Sequence, residues 1–118
     1  MDGSKINIIA KARPFSVEMF PPRTSEGILK LDSVVEVLQK FRPEYLSVTY
    51  GAGGATKQGT RDLVGRFLKR DINAVPHLSF GGTTEEEMRT ILEEYREFGV
   101  RRLVVLRGDL PSGIRIST

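Results

Sequence analysis

Four short apolar segments recur along the chain at a nearly constant spacing, with amphipathic segments between them. They centre near residues 17, 47, 75 and 104, about 29 residues apart, and their composition is typical of β-strands. This spacing is close to the roughly 31 residues per unit of a (β/α)8 TIM barrel. Alternation of strands and helices favours parallel strands with right-handed crossovers. The sequence therefore predicts an α/β fold, the first four β-strands and three helices of an incomplete (β/α)8 barrel. A small doubly wound sheet has the same period.

The boundaries of the elements follow from periodicity and from prolines and glycines. We expect a lead-in over residues 1–13, a partial barrel domain over 14–113 and a tail over 114–118. Within the domain, alternating or continuous apolar residues predict strands over 15–20, 45–50, 73–78 and 101–106. Helical spacing of apolar residues predicts a first helix over roughly 25–40 and two further helices, which end near residues 70 and 98.

Local signals predict how these helices begin and end. Thr24 or Ser25 offers an N-cap oxygen to the first helix, and Thr56 or Thr60 to the second. The third helix begins with a capping box of Thr84 and Glu87 and ends before a glycine at position 99.

The same spacing predicts the apolar faces of the helices, and one proline conflicts with a strand. The predicted apolar residues are Ile28, Leu31, Val34, Val35 and Leu38 in the first helix, Leu63, Val64, Phe67 and Leu68 in the second, and Met88, Ile91, Leu92, Tyr95 and Phe98 in the third. Pro76 lies inside the third strand. Because proline cannot donate to a ladder, it argues against a central position for that strand.

Composition excludes several classes of function. The chain has no cysteine and one histidine, His77, so thiolate and multi-histidine metal sites within one chain are excluded. No apolar run is long enough to span a membrane, and we expect a cytoplasmic protein. The net charge of +3 is spread among acidic residues, which favours anionic small molecules over nucleic acid as ligands.

A four-stranded half of a barrel leaves two strand edges without partners. Open parallel edges promote self-association, so we expect a piece of a longer barrel, a homo-oligomer or a docked partner. A noncatalytic half-barrel that associates through these edges is the alternative to an enzyme.

A carboxylate, Glu18, lies near the end of the first strand, just before two prolines. Desolvation of such a group raises its pKa and makes a general acid, whereas the stretch taken alone favours an ordinary exposed or ion-paired glutamate. Each of the other strands also ends in polar residues: Thr49, His77, and the run Arg107, Gly108 and Asp109. Ligands of α/β folds bind at this edge. Taken singly, the threonine is also a common strand residue, the histidine a common core residue and the aspartate a common helix cap.

The loop that follows the second strand, residues 51–55, is rich in glycine. It lacks the Gly-Lys-Ser/Thr of a P-loop and is not the dinucleotide fingerprint. Its glycines allow a flat ring or a phosphate to approach the backbone, and a plain turn explains them equally well.

Four sequence blocks together resemble the methylenetetrahydrofolate reductase family. They are S-V-E-M-F-P-P-R-T from residue 16, Y-L-S-V-T-Y-G-A-G-G from residue 45, A-V-P-H-L from residue 74 and L-V-V-L-R-G-D-L-P from residue 103. The blocks span nearly the whole chain and about the first half of the family's barrel. The resemblance implies reduction of 5,10-methylenetetrahydrofolate to 5-methyltetrahydrofolate, with hydride passing from NAD(P)H through FAD. It places the protein in one-carbon metabolism and methionine biosynthesis.

The resemblance also implies roles for individual residues. Glu18 corresponds to the general acid that assists opening of the folate's imidazolidine ring. Thr49 and His77 correspond to residues beside the flavin. Four residues of the last block line the flavin in the family, and the aspartate also faces the folate: Leu106, Arg107, Gly108 and Asp109. The loop around residues 53–59 and the tail at 114–118 depart from the family pattern.

Overall fold

The structure is a computed structural model that describes residues 13–50 and 57–107. The described strands are β1 (Val17–Met19), β2 (Leu46–Val48), β3 (Ala74–Ser79) and β4 (Val104–Leu106). The described helices are α1 (Ser25–Lys40), α2 (Lys57–Lys69) and α3 (Glu85–Phe98). The strands pair in parallel in the order β1-β2-β3-β4. This confirms the prediction of an α/β half-barrel with four strands and three helices. Within the described ranges, no helix has the length and apolarity needed to cross a membrane.

The helices match their predicted spans more closely than the strands do. The first helix was predicted over 25–40 and α1 covers those residues. The first, second and fourth strands are each three residues long, shorter than predicted. A strand ends where its ladder ends, and this depends on the neighbouring strand as well as on local sequence.

Pro76 lies in a central strand, so the expectation drawn from this proline is wrong. The amide of Leu46 donates to the carbonyl of Asn73, and the amide of Phe80 donates to the carbonyl of Leu106. Because backbone groups alternate between the two sides of a strand, the even-numbered amides of β3 face β4. The ladder with β4 begins only at His77, which pairs with Val104. The missing proline N–H therefore falls just before that ladder and costs no bond.

The predicted helix ends are confirmed for α1 and α3. The Thr24 hydroxyl accepts from the Gly27 amide at 3.0 Å, and the Thr84 hydroxyl accepts from the Glu87 amide at 3.1 Å. Gly99 ends α3 with φ of 91°, a left-handed conformation that costs glycine little. For α2 the prediction of Thr60 as N-cap is wrong, because this residue lies inside the helix and is fully buried. The other candidate cap, Thr56, lies outside the described residues.

The core lies between the helices and one face of the sheet, and α2 is at its centre. Arg66 of α2 pairs with Asp32 of α1, and Arg61 of α2 pairs with Glu94 of α3 at 2.6 Å. The core contains buried residues of both layers, among them Met19, Leu46, Val48, Leu78, Val64, Phe67 and Tyr95.

The apolar faces predicted for α1 and α3 are only partly buried. Val35, Ile91 and Tyr95 are buried, whereas Val34 and Leu92 are exposed and Phe98 is 45% exposed. Each outer helix has a helical neighbour on one side only among the described elements. Helical spacing identifies an apolar face, but how much of that face is buried depends on neighbours that the spacing does not reveal.

Candidate functional site

The sheet face opposite the helices carries three of the five predicted site residues that the structure describes. In the register, Glu18 of β1 lies beside Ser47 of β2, which lies beside Val75 of β3. Residues two apart share a face, so Thr49 follows Ser47 on this face and His77 follows Val75. We call this face, defined by these five residues, the polar face. Thr49 and His77 are buried on it.

The side chains of Glu18 and His77 meet across the intervening strand β2. Their Oε1 and Nε2 atoms are 3.4 Å apart, within the range of an ion pair. Between their two strands, the register places the small side chain of Ser47. A serine leaves the space in which a glutamate and a histidine from non-adjacent strands come together. The sequence predicted both residues at one edge of the sheet but not this contact.

Glu18 is accessible, whereas its partner is not. The Glu18 side chain is 57% exposed and the His77 side chain is 9% exposed. Of the two interpretations of this carboxylate, the structure favours the exposed and paired one over the desolvated one. A carboxylate with one face on an imidazole and the other open to solvent is placed to exchange a proton with a ligand.

Thr49 lies where β2 leaves the sheet, and its backbone is held on both sides. Its amide donates to the Met19 carbonyl at 3.0 Å, and its carbonyl accepts from the Thr60 hydroxyl at 2.6 Å. The Thr49 hydroxyl is buried and finds no hydrogen-bond partner among the residues that the structure describes. A buried, unsatisfied hydroxyl costs free energy unless a ligand or water supplies the missing bond.

The end of β4 is tied to the end of β3 by backbone contacts. The Phe80 amide donates to Leu106 at 3.3 Å, and the Gly81 amide donates to Arg107 at 3.2 Å. The Ser79 hydroxyl also donates to the Arg107 carbonyl, at 3.3 Å. The remaining predicted residues of this block, Gly108 and Asp109, lie outside the described residues, as does the glycine loop at 51–55.

Sequence reasoning missed three residues around this edge. Phe20 and Phe80 follow β1 and β3 and are 61% and 51% exposed. Exposed rings beside polar groups offer stacking surfaces for flat ligands. The third, Thr60, was taken for a helix cap. A phenylalanine immediately after each of two strands was the available signal for the first pair, and only the fold brings the threonine to Thr49.

Two ionisable groups in the helix layer have displaced pKa values. Burial raises the pKa of the Tyr95 phenol well above its ordinary value. The side-chain hydrogen bond from Arg66 holds the pKa of the Asp32 carboxyl below its ordinary value, against a smaller opposing effect of burial. Both groups stabilise or pack the helix layer and lie outside the polar face. Across the described part of the chain, no cluster of three histidine, aspartate or glutamate side chains is arranged to hold a metal ion.

Comparison with known proteins connects this geometry to a family. A family model described as methylenetetrahydrofolate reductase matches residues 5–116. The 5,10-methylenetetrahydrofolate reductases of Salmonella typhimurium and Escherichia coli are each 40% identical over 99 residues, which is 83% of this chain and 33% of theirs. Methylenetetrahydrofolate reductase (NADH) 1 of Arabidopsis thaliana is 32% identical over 100 residues, 84% of this chain and 17% of its own.

The matched region covers all four described strands and the contact between Glu18 and His77. The chain spans about a third of the length of the bacterial relatives. The family model covers far more than half of the chain, and the sequence blocks that resemble the family lie on the strand ends of the observed sheet. This chain therefore belongs to the methylenetetrahydrofolate reductase family.

Proposed function

We propose that this chain supplies the first four β-strands and three helices of the barrel of a flavin-dependent enzyme that reduces 5,10-methylenetetrahydrofolate to 5-methyltetrahydrofolate with NAD(P)H. The observation that carries the proposal is the 3.4 Å contact between the exposed Glu18 carboxylate and the buried His77 imidazole. Both residues lie in family motifs, and the relatives are named for this reductase. A carboxylate accessible at the ligand-binding edge of a parallel sheet is what acid catalysis of folate ring opening requires.

The residues present fit a flavin. The unpaired, buried hydroxyl of Thr49 offers one hydrogen bond to a polar edge of the ring system. His77 lies on the same face, and Leu106 is exposed at the end of β4. When bound, FAD would supply the carrier that accepts hydride from a nicotinamide and passes it to the folate. By resemblance, Arg107, Gly108 and Asp109 would complete the contacts to it.

In this proposal the exposed Glu18 carboxylate is covered by the bound flavin and folate, and this desolvation favours the protonated form, which gives its proton to the folate. Opening of the five-membered ring breaks a carbon–nitrogen bond, and a proton on the leaving nitrogen makes that step easier. His77 holds the carboxylate from one side and leaves the other side free for substrate. After proton transfer the glutamate is an anion, which stabilises the cationic iminium of the opened folate. Asp109 would face the same substrate.

Exposed apolar side chains provide the surface for the flat parts of the ligands. Phe20 and Phe80 flank the edge at which Glu18 and Thr49 lie. Aromatic rings on such an edge stack against heterocycles and exclude water from the reacting atoms. Among the residues that the structure describes, the outer edges of β1 and β4 pair with no further strand, which supports association into a homo-oligomer or closure by further barrel units. A cytoplasmic reaction is compatible with a chain that has no cysteine.

The test of Glu18 is the substitution Glu18→Gln in a catalytically active form of the protein, either this chain or a longer one that contains it. The amide keeps the size of the side chain and removes the acidic proton. We expect flavin reduction by the nicotinamide to stay near the parent rate and folate reduction to fall at least about a hundredfold, the usual scale of general acid catalysis.

A matched control is Glu36→Gln, which removes an exposed carboxylate of α1 far from the sheet edge. It should change neither half-reaction. Folate reduction by Glu18→Gln at the parent rate would show that another group donates the proton. Loss of both half-reactions would point to a broken flavin site instead.

A further inference from the structure

A proline removes one hydrogen bond from the ladder between β1 and β2. The amide of Val17 donates to the Tyr45 carbonyl. Further along the same ladder, the amide of Thr49, four residues after Tyr45, donates to the carbonyl of Met19, two residues after Val17. In a parallel ladder the next bond runs from residue 21 to the carbonyl of Thr49. Residue 21 is proline, which has no N–H. The ladder therefore cannot satisfy this carbonyl.

The hydroxyl of Thr60 donates to the carbonyl that the missing amide leaves without a ladder bond. Its Oγ1 donates to the Thr49 carbonyl at 2.6 Å, in a fully buried position on α2. Threonines inside helices commonly donate to the carbonyl four residues earlier, as Thr90 does to Glu86 at 3.1 Å. The Thr60 hydroxyl instead joins the second helix to the end of the second strand.

Because Thr60 replaces the amide that Pro21 lacks, β1 can end at the proline while the end of β2 stays fixed. Pro21 ends β1, so the chain leaves the sheet directly after Glu18 and Phe20 and does not cover them. Without an amide at residue 21, the end of β2 has no ladder bond to the Thr49 carbonyl. The Thr60 hydroxyl of α2 provides a hydrogen bond to this carbonyl instead. The Thr49 peptide stays fixed, and its side-chain hydroxyl remains available.

We propose that Thr60 is a positioning residue of the flavin site, which holds the Thr49 peptide in place of the ladder bond that Pro21 removes. The proposal rests on the proposed function, because Thr49 is taken to contact the flavin. Thr60 touches neither cofactor nor substrate and acts only through Thr49. A shift of this peptide displaces the hydroxyl, and polar contacts are sensitive to displacements of less than an ångström.

The first test compares Thr60→Val with Thr60→Ser. Valine keeps the shape of threonine and removes the donor, whereas serine keeps the donor. We expect Thr60→Val to bind FAD about tenfold more weakly, on the scale of one buried hydrogen bond, and Thr60→Ser to bind within about twofold of the parent. FAD affinity is measured by fluorescence quenching, and the amide and carbonyl NMR shifts of Thr49 report its peptide directly. Thr90→Val, which removes an exposed hydroxyl on α3, should change neither readout.

The second test restores the missing amide. Pro21→Ala introduces an N–H at the position from which the ladder bond would come. Added to Thr60→Val, it should recover at least half of the lost binding free energy, about a threefold gain in affinity. Pro22→Ala is the matched control, because its new amide faces the other side of the chain and should recover nothing.

The outcomes separate this inference from the proposed function. Parent-like FAD affinity and unchanged Thr49 shifts in Thr60→Val would overturn it. If the parent itself binds no FAD, the flavin part of the proposed function fails. In that case, changed NMR shifts of Thr49 in Thr60→Val would show only a structural role for Thr60. This outcome also overturns its role at the flavin site. If Thr60→Val does not fold, the double variant is compared with Pro21→Ala. Equal FAD affinities support the inference, and a tenfold weaker double variant overturns it.

Discussion

The two faces of the sheet are both largely buried in β2 and β3, but they differ in chemistry. On the helix-covered face, Leu46, Val48 and Leu78 pack against residues of α2 and α3. On the polar face, Thr49 and His77 are just as buried, and Glu18 reaches solvent beside them. Burial alone therefore does not distinguish a structural residue from a functional one in this sheet. The distinction is whether the buried atoms are satisfied by neighbours or left available for a ligand.

Adjacent residues of β2 illustrate the difference. Val48 points into the helix-covered core, and the residue before it, Ser47, lies on the polar face beside Glu18. A larger side chain at Ser47 would separate the acid from the imidazole, whereas a smaller one at Val48 would open a cavity. The same strand thus supports stability through one face and chemistry through the other.

The largest loss of stability should come from Phe67→Ala, which alters the centre of the helix-covered face. The phenyl ring is fully buried on α2, and its removal leaves a cavity. We expect a loss of about 3–5 kcal/mol in the free energy of unfolding, measured by urea denaturation. Phe98→Ala removes the same ring from a site that is 45% exposed, so its loss should be clearly smaller. Equal losses would mean that the core is not centred on α2.

A smaller loss of stability is expected from a change at the N-cap of α3, and this change should leave FAD binding unaltered. Thr84→Ala removes the hydroxyl that accepts from the Glu87 amide at 3.1 Å. The free energy of unfolding should fall by about 1 kcal/mol, and Thr84→Ser should restore most of it. FAD affinity, measured on the folded protein, should not change, because the cap contacts no residue of the polar face. A parallel loss of FAD affinity would show that the two faces are coupled through α3.

The sequence predicted what depends on local chemistry. The span of α1, the cap at Thr84 and the glycine that ends α3 each follow from residues within one turn of one another, and all three are confirmed. The predicted positions of Glu18, Thr49 and His77 at the ligand-binding edge also follow from local patterns, because each strand's end is marked by its own residues. The roles assigned to them remain predictions.

What the sequence did not reveal depends on contacts between distant segments. The meeting of Glu18 and His77 requires that β1 and β3 flank a strand with a small residue at the right register. The role of Thr60 depends on a missing amide 39 positions earlier and on a carbonyl between the two. Pro76 is tolerated because its nitrogen points toward β4 just before the ladder between β3 and β4 begins. Each of these features depends on the register in which the strands pair, and no single segment of the sequence specifies that register.

The smallest loss of stability should come from a substitution of Asp32, which lies at the outer edge of the helix layer. Its carboxylate pairs with Arg66 and, at 3.1 Å, with Arg70, so that α1 is joined to α2. The hydrogen bond from Arg66 lowers the pKa of Asp32 in the folded state, so the charged form stabilises the fold. That stabilisation is complete above the unfolded-state pKa, near 3.8, and is lost as the pH falls through the lower folded-state value. Asp32→Asn should therefore lower stability at pH 7 by less than Thr84→Ala does, since exposed ion pairs contribute little. Its difference from the parent should shrink as the pH approaches 3, measured by denaturation at each pH, and a difference that grows towards acid would contradict the assigned sign.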